Sequence, residues 1–188
     1  MKSIVIFASG SGTNAENIIQ HYAECPKARV RAVFCNKAGA GVIARAEKWR
    51  VPVILFGKEN CGKEGFLDEQ LSYYQPDIIV LAGFLWLFPE RLVKRYNNRI
   101  LNIHPALLPA YGGKGMYGEH VHRAVLQNGD AIHGVTVHKV TERYDEGEIV
   151  LQESFEVEPH ETLESLTDKI HRLEFILYPK AISKILGI

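Results

Sequence analysis

"SIVIFASGSGTNAENIIQ", residues 3–20, carries the decision about the fold. Its start is an apolar run with β-forming residues. Its middle sets two glycines among hydroxyl and amide side chains with no charge, and its end brings Ile18 and Ile19 onto one face of a helix. A strand, a tight turn and a helix follow from that order. Gly10-Ser11-Gly12-Thr13-Asn14-Ala15 fits G-x-G-x-x-[GA] in the strand-to-helix context that a dinucleotide-binding turn requires. That motif also expects a carboxylate roughly 20 residues on, at the end of the second strand, to hold ribose hydroxyls. The second strand here runs out in "FCNKAGAG", residues 34–41, which offers Asn36 and no acid. The loop therefore reads as a cradle for a single phosphate, built from the free N–H groups of a helix start and the hydroxyls of Ser11 and Thr13. A capping box between Thr13 and Glu16, with no ligand at all, accounts for the same residues.

Outward from this stretch, short β-rich runs alternate with amphipathic helical ones as far as "ILNI" at residues 100–103. That alternation is the signature of βαβ units on a parallel sheet. The pattern then changes. "IHGVTVHKV" and "GEIVLQESFEV", joined by "TERYDE", predict an antiparallel pair. Leu163, Leu166, Ile170, Leu173 and Leu177 then recur at helical spacing and predict a long amphipathic helix over 162–186. The expected fold is α/β: a Rossmann-like open twisted sheet, mostly parallel with an antiparallel C-terminal strand pair, flanked by helices and closed by a long C-terminal helix. In such sheets ligands bind beyond the carboxyl ends of the strands.

The 188 residues are expected to form a single domain, and the balance of 22 Lys plus Arg against 22 Asp plus Glu leaves no basic surplus for nucleic acid. Cys25, Cys35 and Cys61 sit in no metal-ligand spacing and follow no signal peptide, so they read as reduced thiols of a cytoplasmic protein. The longest apolar run, residues 78–88, is short of the roughly 20 residues a membrane span needs.

In "ILNIHPALLP", residues 100–109, alternation puts Asn102 and His104 on one strand face, and Pro105 ends the strand beside them. Positions i and i+2 lie about 6 to 7 Å apart, so an amide donor and an imidazole converge on one small atom. Two core residues, each satisfying a backbone group, would read the same. In "HGVTVHKVTERYDEG", residues 133–147, Thr136 and His138 share a face and Asp145 lies in the following turn, close enough in such a fold to orient or charge an imidazole. Asp-Glu-Gly alone is a hairpin turn. His120 and His122 fall at i, i+2 of a predicted helix, which does not bring them to one face, so no metal site is expected.

"SGSGTNA", "LAGFLWLF", "NIHPALLP" and "HGVTVHKVTERYDEGEIV" together resemble the phosphoribosylglycinamide formyltransferase family, the folate-dependent glycinamide ribonucleotide transformylases of purine synthesis. The resemblance spans essentially the whole chain. It implies formyl transfer from 10-formyltetrahydrofolate, a co-substrate, to the amine of glycinamide ribonucleotide, with no metal and no partner beyond these small molecules, in a monomer or homodimer. It implies catalysis by Asn102, His104 and Asp145, and substrate binding by Ser11, Gly12, Thr13 and Asn14 at the phosphate and by Glu174 at the ribose. It also implies folate contacts from Leu85, Trp86, Leu87 and Phe88, chiefly through backbone, and from Asn102, Glu142 and Asp145. The N-terminal half would bind the nucleotide phosphate, and the C-terminal half would bind folate and carry the catalysis.

The same residues admit plainer readings. Glu174 sits on the edge of an apolar stripe, where a salt bridge would satisfy it; Leu85–Phe88 could be a buried strand end; and "YGGKGMYGEH", residues 111–120, reads as the family's mobile loop or as an inert surface loop. Trp86 stands where some relatives are expected to carry a polar or basic residue, and Thr136 where serine is common. Formyltetrahydrofolate hydrolases and methionyl-tRNA formyltransferases share N-I-H-P but are expected to be longer. An NAD-linked oxidoreductase lacks its acid here, and a non-catalytic nucleotide sensor would not need the convergent trio.

Overall fold

The computed structural model describes residues 1–62 and 65–188. The strands are β1 (Lys2–Ala8), β2 (Ala28–Cys35), β3 (Val53–Leu55), β4 (Ile78–Leu81), β5 (Ile100–His104), β6 (Ile132–Lys139) and β7 (Ile149–Glu156). The helices are α1 (Thr13–Tyr22), α2 (Gly41–Lys48), α3 (Glu59–Gly62), α4 (Phe66–Tyr74), α5 (Glu90–Arg95), α6 (Glu119–Asn128) and α7 (Leu163–Leu186). The described strands form one sheet in the order β3-β2-β1-β4-β5-β6-β7. From β3 to β5 the neighbours are parallel; β5–β6 and β6–β7 are antiparallel. The expected Rossmann-like sheet with an antiparallel C-terminal pair is what the chain builds. Its strand order reverses between β1 and β4, which opens a crevice at their carboxyl ends.

β1 shows why the inner strands are apolar on both faces. Ile4, Ile6 and Ala8 pack under α1, α2 and α7, while Val5 and Phe7 pack on the other face under α4 and α5. A parallel sheet covered on both sides has no solvent face to alternate with. "VPVILF" gives only a three-residue edge strand, since Pro52 cannot donate to a ladder and Leu55 is already half exposed.

The docking of α7 on α1 positions much of the site. Pro179 inside α7 has no N–H to give the carbonyl four residues earlier. Asn17 of α1 supplies that donor, its Nδ2 reaching the Phe175 carbonyl at 2.9 Å. The hydroxyl of Tyr178 donates to the carbonyls of Leu81 (2.8 Å) and Leu101 (3.1 Å), tying the helix to β4 and β5. Among the described residues no helix is long and apolar enough to cross a membrane.

The capping box considered for Thr13 and Glu16 does not form. Gly12 is the N-cap of α1 and no side chain caps it. Glu16 turns instead to α2, where it pairs with Arg45 and, at 3.3 Å, with Lys48. Two cations on a neighbouring helix outcompete one backbone N–H for a carboxylate.

Candidate active site

A cleft of about 560 Å³ opens beyond the carboxyl ends of β1, β4 and β5. The loop 10–14, the turn 82–85 after β4 and residues 102–105 form its base. Residues 113–118 cover it, and Tyr144, Asp145, Ile170, His171 and Glu174 close its sides.

The antiparallel register sets Asn102 opposite His138 and His104 opposite Thr136. His138 Nδ1 lies 2.9 Å from the Lys139 carbonyl, which only accepts, so the ring proton is on Nδ1. Its Nε2 lies 3.1 Å from Asn102 Nδ2 and 3.5 Å from Asp145 Oδ1. Asp145 Oδ1 lies 3.4 Å from the same Nδ2. Asp145 Oδ2 accepts from the Gly113 N–H at 2.9 Å and stands 3.7 Å from His104 Nδ1. His104 donates its Nε2 proton to the Tyr111 carbonyl at 2.7 Å. The turn carrying Asp145 is tight: Asp145 has φ 56, and a Cβ on Gly147 would lie 1.7 Å from the Lys139 carbonyl oxygen.

The electrostatics follow from these contacts. Burial pushes the Asp145 carboxyl up, but the His138 contact, the Gly113 N–H and the two nearby imidazoles outweigh it and hold the group below its usual range. Burial pushes His104 down, against the opposing pull of Asp145 and the Tyr111 carbonyl, and leaves it below the usual imidazole value. A neutral imidazole thus turns its Nδ1 lone pair toward an ionised carboxylate, an arrangement that a proton on Nδ1 would draw together. Thr136 Oγ1 donates to the Ala106 carbonyl (2.6 Å) and accepts from the Leu108 N–H (3.1 Å) and Gln152 Nε2 (2.8 Å). Its hydroxyl fixes the segment that follows His104.

At the other end of the cleft, Gly12 has φ 81 and α1 starts at Thr13, which turns the first N–H groups of the helix outward. The loop rests on the segment that lacked the ribose-binding acid: Val42 N–H donates to the Gly10 carbonyl at 3.2 Å, and Arg45 Nε to the Ser11 carbonyl at 3.0 Å. A Cβ on Gly41 would lie 2.9 Å from the Ser11 carbonyl oxygen. Gly41, the last residue of "AGAG", therefore serves close packing beneath the loop.

Glu174 is 6% exposed and accepts from Asn14 Nδ2 at 2.8 Å. No salt bridge to it occurs among the described residues. Burial pushes its carboxyl up to about 7, only partly offset by Asn14.

Ser11, Gly12, Thr13, Asn14, Leu85, Asn102, His104, Asp145 and Glu174 all line the cleft. Trp86, Leu87, Phe88 and Glu142 lie outside that lining. Phe88 is buried against Phe7, their rings 5.0 Å apart and nearly perpendicular. Trp86 packs edge-on to Phe56, with Lys58 over its ring. Glu142 is 3.6 Å from Lys94 in a separate shallow groove. Sequence reading overlooked Gly83 and Phe84, and it left open the contacts that Tyr111 and Gly113 make with His104 and Asp145. Main-chain contacts of this kind leave no residue-type signal.

His122 and His133 were also missed as a pair. Both are buried, their rings are 5.8 Å apart, and His122 Nδ1 and His133 Nε2 have no hydrogen-bond partner among the described residues. Burial and mutual repulsion push His122 down to about 4, and burial pushes His133 to the same value. Between pH 6.5 and 4 the unfolded chain takes up protons that the folded one refuses, so stability falls as pH falls through that window. At its acid limit each group accounts for about 3 kcal/mol. Denaturant melts at pH 7.5, 6 and 5 are expected to show this slope, and His133→Asn to flatten it. An unchanged slope in that variant would place the acid sensitivity elsewhere.

A sequence model described as formyl transferase matches residues 2–182. Phosphoribosylglycinamide formyltransferase of Bacillus subtilis is 35% identical over 193 aligned residues, covering 100% of this chain and 96% of the relative. The enzyme of the same name from Escherichia coli is 37% identical, covering 96% of this chain and 85% of the relative. The crystal structure of phosphoribosylglycinamide formyltransferase from Bacillus halodurans superposes with a TM-score of 0.87 at 37% identity, over 99% of this chain and 96% of that one.

Proposed function

We propose, because the chain belongs to the formyl transferase family, that it transfers the formyl group of 10-formyltetrahydrofolate to the primary amine of glycinamide ribonucleotide. The observation that carries this reading is the convergence of an ionised Asp145 on Asn102 and His104 in a cleft that also holds a free helix start. A helix start suits a phosphate, and an amide beside an imidazole suits an oxyanion.

In this reading Ser11–Asn14 take the phosphate and Glu174 the ribose hydroxyls, so the amine is delivered toward Asn102. The folate lies against the backbone of Gly83–Leu85. Trp86, Leu87 and Phe88 support that wall through the packing of Trp86 and Phe88, while Glu142 rests on the resemblance alone. The amine nitrogen bonds to the formyl carbon, and charge gathers on the formyl oxygen. Asn102 Nδ2 and the His104 Nε2–H donate to that oxygen, the latter after leaving the Tyr111 carbonyl as the covering loop shifts. As that charge develops, His104 takes up a solvent proton at Nδ1 and Asp145 stabilises the resulting imidazolium; Asp145 also relays the amine proton, through water, to the departing folate nitrogen as the old C–N bond breaks. The scheme uses no metal ion. The nucleotide half is residues 10–42 with Glu174, and the folate and catalytic half is residues 82–145. We place the activity in the cytoplasm, in a monomer or homodimer acting on two small molecules, with neither nucleic acid nor membrane as partner.

Purified protein with glycinamide ribonucleotide and a 10-formylfolate donor should release folate, followed by its absorbance, only when both substrates are present. Release without the amine would identify a hydrolase instead.

A further inference from the structure

Asn14 is the second residue of α1, yet its side chain turns away from the helix start toward α7, 160 residues on. There its Nδ2 donates to Glu174 Oε2 at 2.8 Å, while its own Oδ1 is buried with no partner among the described residues. Folded proteins rarely leave a buried carbonyl oxygen empty. Turning the amide round would set Oδ1 against the Glu174 carboxyl, acceptor against acceptor in its ionised form. The amide is held in its costly orientation by what it does for Glu174. Among the described residues that buried carboxylate has neither a cation nor a donor to Oε1. An oxygen so placed on the wall of the cleft is matched by a donor from a ligand.

We infer that Asn14 is the positioning residue for sugar recognition: its side-chain amide holds the Glu174 carboxylate so that the free oxygen receives ribose hydroxyls, while its main-chain N–H serves the phosphate. This inference rests on the reading given under Proposed function. One residue would then link two subsites, and discrimination between ribose and a sugar without hydroxyls would depend on an amide that need not touch the sugar.

The test compares calorimetric binding of glycinamide ribonucleotide and its 2′,3′-dideoxy analogue. The unchanged protein is expected to prefer the ribonucleotide by about 10-fold or more, the scale of one hydrogen bond to a charged group. Asn14→Ala should erase most of that preference by weakening the ribonucleotide alone, and retained binding of the dideoxy analogue shows an intact fold and phosphate loop. Glu174→Gln combined with Asn14→Ala should lose no more than the larger single loss, since the two act as one. Asn14→Asp, which keeps the size but sets a second carboxylate against Glu174, decides the matter should the alanine variant fail to fold; it too should lose the preference. Equal weakening of both ligands, or a preserved preference, overturns the inference. If the unchanged protein binds neither nucleotide, the formyltransferase reading itself has failed.

Discussion

Asp145→Asn is expected to lower kcat by about 10² to 10⁴-fold, the range for a positioned proton-transfer group, while both substrates still bind. The substitution keeps the shape of the side chain and leaves an oxygen to accept from the Gly113 N–H. It removes the charge 3.7 Å from His104 Nδ1, which together with the Tyr111 carbonyl raises His104 against burial. His104 would then stay neutral as charge builds on the formyl oxygen. His104→Ala and Asn102→Ala should be comparably slow, and combinations should lose less than the product of the single losses, because the three groups act on one transition state. The pH–rate profile should lose the limb that belongs to the Asp145–His104 couple rather than to either group. Near-normal kcat at neutral pH in Asp145→Asn would sink the mechanism and send the search to another carboxylate.

Much of the site was legible because strand periodicity is a strict code. Asn102 and His104 share a face whatever the neighbours do, and Pro105 marks where that face meets the crevice. The end of the first strand was equally plain, since two glycines between a strand and a helix have few other uses. What could not be read depended on partners far apart in the chain. Glu16 looked like half of a cap until α2 brought Arg45 and Lys48 beside it. Glu174 looked like half of a salt bridge, and its partner turned out to be Asn14, at the opposite end of the chain. His122 and His133 sit on a helix and a strand whose packing alone makes them face each other. In each case the residue type announced that a partner was needed, and only the packing of α1, α2, α6 and α7 supplied its identity.

A side chain on Gly12 would obstruct a phosphate in the loop, and it would do more. In the folded chain the obstruction is also internal: a Cβ on Gly12 would lie 2.5 Å from both Cα and Cβ of Val42, and the backbone has φ +81. Gly12→Val is therefore expected to cost about 2–5 kcal/mol of stability, from a left-handed backbone and an overpacked contact together. It should also raise the nucleotide KM much more than the folate KM, because the loop must move off α2 and its N–H groups lose their common aim. Trimming the neighbour should not rescue it, since Val42→Ala leaves Cα and Cβ in place. Gly39 provides the comparison. It has φ +76 with nothing within 4 Å of an added Cβ, so Gly39→Ala should show only the smaller backbone cost, about 1–2 kcal/mol, and leave both KM values alone. Denaturant melts and two-substrate kinetics on the three variants separate the terms. A Gly12→Val protein that is destabilised yet keeps its nucleotide KM would show that the loop is only a structural joint between α1 and α2, and the phosphate would have to bind elsewhere in the cleft.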